Sequence, residues 1–229
     1  MGSPSTEINR DGDETSHPVT INHDFQMQAT EVTQAQWFKV MGNNPSNYKK
    51  YEDCPSDHVD KNGVSLCPNL PVETVSWNDA QAFIGRLNQT AVGYIYSLPT
   101  EAQWEYAARG GRQTAYSFGD NVRGELDSYG WYSENSGGRT HTVATKKANP
   151  FGLYDMHGNV WEWVKDWYTA DLGSNLQIDP VGPDSGSRRV VRGGGWNSNA
   201  QYLRSAYRRH DWPSYSFSYL GLRLVRMPK

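Results

Sequence analysis

Apolar positions in this chain fall into three short stretches of helical spacing, each opened by a side chain that can cap it. Thr33, Gln34, Ala35 and Gln36 make a capping-box pattern, Trp37, Val40 and Met41 supply an apolar stripe, and Gly42 closes it. Ser76, with Asp79 three residues on, opens a second stretch that carries Ala80, Phe83, Ile84 and Leu87 on one face. Thr100 after Pro99, with Gln103, opens a third, whose stripe is Trp104, Ala107 and Ala108 and whose stop is Gly110-Gly111. Strand signals are shorter. His17 to Ile21, Phe25 to Ala29, Arg189 to Arg192 and Leu222 to Val225 alternate or form compact apolar runs. Long loops with aromatics, such as Tyr129 to Tyr132 and Trp163 to Tyr168, fill the rest. The pattern predicts an α+β fold with little regular structure, without internal repeats or low-complexity tracts.

Composition changes this picture in three ways. No Pro/Ser tract or charge block divides the 229 residues, so residues 1–229 read as a single domain. Mean hydropathy is low at -0.78, yet nine Trp and fourteen Tyr supply bulky amphipathic material, which predicts an aromatic core. No apolar run approaches the roughly 18 residues of a membrane span. Net charge is -3, but after Asp184 the basic residues Arg188, Arg189, Arg192, Arg204, Arg208, Arg209, Arg223, Arg226 and Lys229 face the single acid Asp211. Arginines threaded through Gly- and Trp-rich sequence favour pairing with carboxylates elsewhere in the fold over a nucleic-acid patch. Cys54 and Cys67 are the two cysteines. A disulfide between them suits an exported protein, whereas zinc lacks two further ligands. Met1-Gly2-Ser3-Pro4 runs straight into structured-looking sequence, which is compatible with an exported or cell-surface protein whose leader has been removed; a cytoplasmic protein is the alternative.

Several phrases together resemble one family. They are Met1-Gly2-Ser3-Pro4, Thr30-Glu31-Val32-Thr33, Pro71 to Trp77, Leu98 to Gly110, Gly152 to Trp163, and Arg192-Gly193-Gly194 with Gly221-Leu222-Arg223. This order resembles the sulfatase-modifying-factor or formylglycine-generating-enzyme family, and implies its variant of the C-type lectin fold. Members that make formylglycine carry two cysteines, five apart, just after the Arg-Gly-Gly phrase, which bind copper and activate oxygen. The matching positions here hold Ser198 and Leu203, and neither supplies the thiolate that copper(I) requires. The ergothioneine-type relatives use an iron site from an additional helical domain that has no counterpart here, so neither copper nor iron is expected. In calcium-binding members a loop at the Gly-Asn-Val-Trp-Glu-Trp phrase supplies oxygen ligands, which the resemblance carries to Asp155, Gly158, Val160 and Glu162. Asp60-Lys61-Asn62-Gly63 resembles part of an EF-hand loop, but its first position would be His58, which rules it out.

Some proteins of this fold are variable products of diversity-generating retroelements, and the segment 192–226 resembles their variable region. A randomised AAY codon never yields Lys, Glu, Met, Gln or Trp, and from Ser185 to Arg226 there is no Lys, Glu or Met. The resemblance implies a ligand-binding surface for a protein or glycan built from Asn197, Ser198, Asn199, Tyr202, Ser205, Tyr207, His210, Asp211, Tyr215, Phe217 and Tyr219. Tyr, Ser and Asn also suit such a surface physically, because Tyr gives contact area at low rotamer cost and the others adaptable hydrogen bonds. Alternation places Tyr215, Phe217 and Tyr219 on one side of an extended segment, either core or binding face. Two rival readings remain open. One is an enzyme of the same superfamily with altered chemistry, resting on His210 beside Asp211. The other is a fixed regulatory or scaffolding module of a secretion or signalling system.

Overall fold

The computed structural model describes residues 1–229 except 121 and 123. All three expected helices form, as α1 (Gln34–Met41), α2 (Trp77–Thr90) and α3 (Glu101–Arg109), followed by a single turn, α4 (Leu126–Tyr129). Each of the first three carries its full capping box: Thr33, Ser76 and Thr100 accept from the backbone N–H three residues on, whose side chain accepts in return. Gly42 and Gly110 end α1 and α3 in the left-handed region, with φ of 76° and 59°.

The strands are short. In chain order they are β1 (Val19–Thr20), β2 (Gln26–Met27), β3 (Val59–Lys61), β4 (Val64–Leu66), β5 (Tyr94–Ser97), β6 (Trp161–Trp167), β7 (Gln177–Ile178), β8 (Arg189–Arg192), β9 (Arg209–Asp211), β10 (Leu220–Leu222) and β11 (Val225–Pro228). The main sheet has the order β10-β6-β8-β9, with β10 parallel to β6 and the other pairs antiparallel. A second sheet, β2-β11-β5, lies beside it, and β1 pairs with β7 in a small parallel ribbon. The apolar run Leu222 to Val225 is therefore not one strand: Arg223 and Leu224 link β10 of one sheet to β11 of the other. Trp163 to Tyr168, expected as loop, belongs largely to β6, the longest strand at seven residues. Asn62 and Gly63, both at positive φ (53° and 76°), make the turn of the β3–β4 hairpin.

The core is mostly aliphatic, and the aromatic residues expected from the composition supply its largest side chains. Trp37 of α1 stacks on Phe83 of α2 with ring centroids 4.9 Å apart, above a floor of Trp161, Trp163, Val191, Leu220 and Leu222. Burying an indole leaves its N–H to be satisfied, and each buried Trp finds a partner. Trp163 donates to the Val75 carbonyl at 3.0 Å, Trp104 to Glu162 Oε2 at 2.6 Å, and Trp161 to Ser198 Oγ at 3.1 Å. Cys54 and Cys67 form a disulfide that pins the β3–β4 hairpin against Leu70 and Tyr48. Among the described residues no helix is long and apolar enough to cross a membrane.

Candidate functional site

The basic residues of the C-terminal segment divide into two sets. Arg192, Arg204, Arg208 and Arg223 are buried, and each finds a carboxylate from a distant part of the chain. Arg208 holds Glu101 through two N–H groups at 2.6 and 2.9 Å, and Arg204 holds both oxygens of Glu14 at 2.6 and 2.7 Å. Arg223 grips Glu162 at 2.8 to 3.1 Å. Arg192 reaches Glu105 at 2.6 Å and donates to the carbonyls of Ser205, Ala206 and Tyr207. Burying four guanidinium groups is tolerable only with such pairing. These arginines form a frame that fixes the backbone of the segment, whereas Arg188, Arg189, Arg209, Arg226 and Lys229 are at least partly exposed.

On this frame sits a continuous aromatic surface. The buried Trp161 ring is its floor, covered by Tyr207 at 5.9 Å between centroids and by the Arg209 guanidinium at 5.5 Å. Tyr202 packs edge-on against Tyr207 at 4.9 Å. Arg209 also lies 5.2 Å over Tyr219 and donates to Asp211 at 3.0 Å. Tyr219 stacks on Phe217 at 5.0 Å with the rings nearly parallel, and Phe217 meets Tyr215 at 5.9 Å. The predicted single row of Tyr215, Phe217 and Tyr219 is thus present, and it is graded. Phe217 and Tyr219 are half-buried against the core, whereas Tyr215 is 46% exposed. Asn197 and Asn199 are exposed beside the row, next to Trp196, which donates to the Ser218 carbonyl at 2.9 Å. Tyr48, held by the disulfide region, meets Trp196 edge-on at 5.7 Å. Partial burial pushes the Tyr207 hydroxyl up to about 12, so it stays a neutral donor.

Ser198 and Ser205 depart from the expected surface: both are buried. Ser198 Oγ accepts from the Gly195 N–H at 3.0 Å and from Trp161, closing the turn that carries Asn197 and Asn199. Ser205 lies where Arg192 pulls the backbone inward, and its N–H donates to the Ala115 carbonyl at 2.7 Å. A serine carries no periodic signal for burial, which is why sequence pattern misplaces both. His210 and Asp211 turn to opposite sides of β9. Asp211 joins Arg209 on the aromatic surface, while His210 packs on Tyr168 at 3.9 Å, its pKa lowered by burial and by Arg188. The two side chains therefore do not converge on one point. Arg209 and Trp161 belong to the surface but were not among the expected residues; alternation along β9 beside Asp211 is the signal for Arg209.

Leu203, at the other candidate redox position, is fully buried among Ala115, Tyr116, Leu126 and Tyr132. Its carbonyl bonds to Nδ1 of His157 at 2.8 Å, and burial lowers the His157 pKa to about 4. Ser198 and Leu203 together offer one already engaged hydroxyl and an aliphatic cluster, which is no ligand set for a soft metal.

The calcium expectation divides in the same way. Both Glu162 oxygens are taken by Arg223 and Trp104, so Glu162 does not fit as a calcium ligand. Asp155, at φ 60°, has no donor for Oδ1, and Glu31, buried beside it, has none for either oxygen, so without a shared proton the two carboxyls meet only each other. Burial first, then mutual repulsion, raises Glu31, and burial raises Asp155 to about 6. Three orphaned buried carboxylate oxygens suit a proton or a hard cation. Among the described residues no three His, Cys, Asp or Glu side chains converge on one point, so most ligands of a cation there would be carbonyls and water.

The family profile of the sulfatase-modifying factor enzyme 1-like domain matches residues 1–228. The chain belongs to that family. The curated relatives of this sulfatase-modifying factor domain include the formylglycine-generating enzyme of Thermomonospora curvata, 34% identical over 215 residues that cover 86% of the chain and 66% of the relative. That of Bos taurus is 36% identical over 275 residues, covering 97% and 71%. The domain thus spans about two thirds of the length of these relatives. Among solved structures, Treponema denticola variable protein 1 matches with a TM-score of 0.83 and 34% identity, over 100% of this chain and 94% of that one. PvdO from Pseudomonas aeruginosa matches with a TM-score of 0.78 and 26% identity, over 99% and 90%. The α+β fold is the formylglycine-generating-enzyme-like variant of the C-type lectin fold that the sequence implied.

Proposed function

We propose that this domain is a non-catalytic binding protein whose C-terminal segment displays a diversified recognition surface to a protein or glycan ligand outside the cell. The observation that carries this reading is the division of labour between 192 and 226. Buried arginines hold the backbone, and between them the side chains of Asn197, Asn199, Tyr202, Tyr207, Asp211, Tyr215, Phe217 and Tyr219 make a continuous aromatic surface rather than a catalytic constellation. Exposed Tyr with flanking Asn is the chemistry of rigid anchors and adaptable hydrogen bonds. The likeness to Treponema denticola variable protein 1 supports the same reading, and the Cys54–Cys67 disulfide suits an oxidising compartment. Randomising Asn197, Asn199, Asp211 and Tyr215 in a displayed library, then selecting on lysozyme as a test antigen, should return folded binders. An unfolded library would sink the reading, as would oxidation of a cysteine peptide by the purified protein with copper(I).

The same reading includes calcium as a structural ion at Asp155 with Glu31. Millimolar calcium is expected to raise the melting temperature more at pH 8 than at pH 5, because the ion competes with protons for those carboxyls. Asp155→Asn should abolish the increment; an equal increment in that variant places any calcium elsewhere.

A further inference from the structure

β1 and β2 lie five residues apart in the chain, yet among the described residues they do not pair with each other: β1 pairs with β7, and β2 with β11. Both strands line a concavity of about 720 Å³, Val19 and Ile21 from one and Phe25 and Met27 from the other, together with Tyr106 and Phe151 and, at its polar part, Glu105 and Arg109. The ladder patterns decide where the backbone groups of Val19, Ile21, Phe25 and Met27 point. In the β1–β7 ribbon, Gln177 and Asp179 donate to the carbonyls of Pro18 and Thr20. Thr20 therefore faces β7, and Val19 and Ile21 present their N–H and C=O to the other side. In the β2–β11 pair, Gln28 donates to the Leu224 carbonyl, which makes Gln26 opposite Arg226 the next bonded pair. Phe25 and Met27 then point away from β11. None of the four makes a backbone hydrogen bond to any described residue.

Two unpaired strand edges that line one concavity offer backbone groups to an added strand. Inserting one requires two inter-strand spacings, roughly 9.6 Å. The four-residue step from Ile21 to Phe25 reaches up to about 14 Å, so the short link does not forbid that width. The aromatic lining supplies side-chain recognition. Tyr106 and Phe151 are 53% and 47% exposed, unusual for large aromatic side chains, and they pack 5.5 Å apart with Phe25 6.5 Å beyond Tyr106. An extended ligand would lay every second side chain on these rings, while its main chain met both edges.

We propose that the gap between β1 and β2 is a strand-addition site that takes an extended peptide segment of a partner polypeptide with apolar side chains at alternate positions. The inserted strand would join β7-β1 to β2-β11-β5 as one sheet. This site is separate from the C-terminal surface, and neither proposal depends on the other.

The test is amide hydrogen exchange of the full 229-residue chain, followed by NMR, with a blocked pentapeptide of alternating valine and threonine as probe. Saturating peptide should slow exchange at Val19, Ile21, Phe25 and Met27 at least about tenfold, with little change at Thr20 and Gln26, which point the other way. The same peptide N-methylated at its backbone amides should produce no slowing. Tyr106→Ala should weaken binding without unfolding the protein, as Tyr106 is a surface residue; Met27→Pro removes one edge donor as a second check. No slowing at millimolar peptide overturns the proposal, as does slowing that survives N-methylation. Slowing that appears with rising protein concentration alone also overturns it, because the occupant would then be a second copy of this chain.

Discussion

Arg192 is buried between Glu105 and three carbonyls of residues 205–207, so one side chain links α3 to the backbone beneath Tyr207. That such arginines pair with acids was legible in the charge imbalance after Asp184; which acid each one takes was not, because the acids come from three separate stretches, Glu14 near the start, Glu101 and Glu105 on α3, and Glu162 on β6. The same crowding of charges perturbs Asp166, which accepts from the Glu101 N–H at 2.8 Å and is raised to about 7 by burial and then by the Glu101 charge. Its folded pKa exceeds the ordinary aspartate value of 3.8, so the folded state holds this proton more tightly than the unfolded chain does. The stabilisation is complete below about pH 4 and is lost as pH climbs through 7. Asp166→Asn keeps the acceptor and removes the charge. It is expected to flatten the fall in stability between pH 5 and 8 and to raise stability at pH 8 by at least about 1 kcal/mol. Urea denaturation at the two pH values reads this directly, and an unchanged pH slope would contradict it.

Elements with strong local signals were legible, and those whose stability is tertiary were not. Capping boxes announced α1, α2 and α3 because the cap and its partner lie within four residues. β6 escaped notice because nearly every residue in it is buried, so alternation vanishes, and because Glu162 and Asp166 make a core strand look polar. The β3–β4 hairpin carries an Asn-Gly turn that local sequence does signal. Its disulfide closes a separation of 13 residues, and replacing Cys54 and Cys67 together with Ser should cost about 3 kcal/mol. The loss should also loosen Tyr48 from Trp196, seen as increased mobility of the Trp196 side chain by NMR; an unaltered Trp196 would show that the hairpin does not buttress the binding surface. The aromatic row makes a graded prediction. Tyr215→Ala should change stability by less than about 0.5 kcal/mol, whereas Phe217→Ala and Tyr219→Ala should each cost about 2 kcal/mol. Equal costs at all three would place the row wholly in the core or wholly on the surface.

At the scale of the molecule, order of phrases along the chain revealed the family and the fold, because the motifs that build this fold are local in sequence even where their contacts are distant. The candidate surface was only partly legible: side-chain type suggested Tyr202, Tyr207 and the row 215–219, but burial of Ser198 and Ser205 follows from hydrogen bonds to residues far away in sequence. The proposed function requires a fixed interior and a replaceable exterior within one segment. Natural variation at the protein's own locus tests that separation most directly. Sequencing this gene and its neighbourhood from sister isolates should show substitutions concentrated between Asn197 and Tyr219, at adenines of a near-identical template repeat, with Arg192, Arg204, Arg208 and Arg223 unchanged. Substitutions spread evenly along the chain, with no such repeat nearby, would contradict the account.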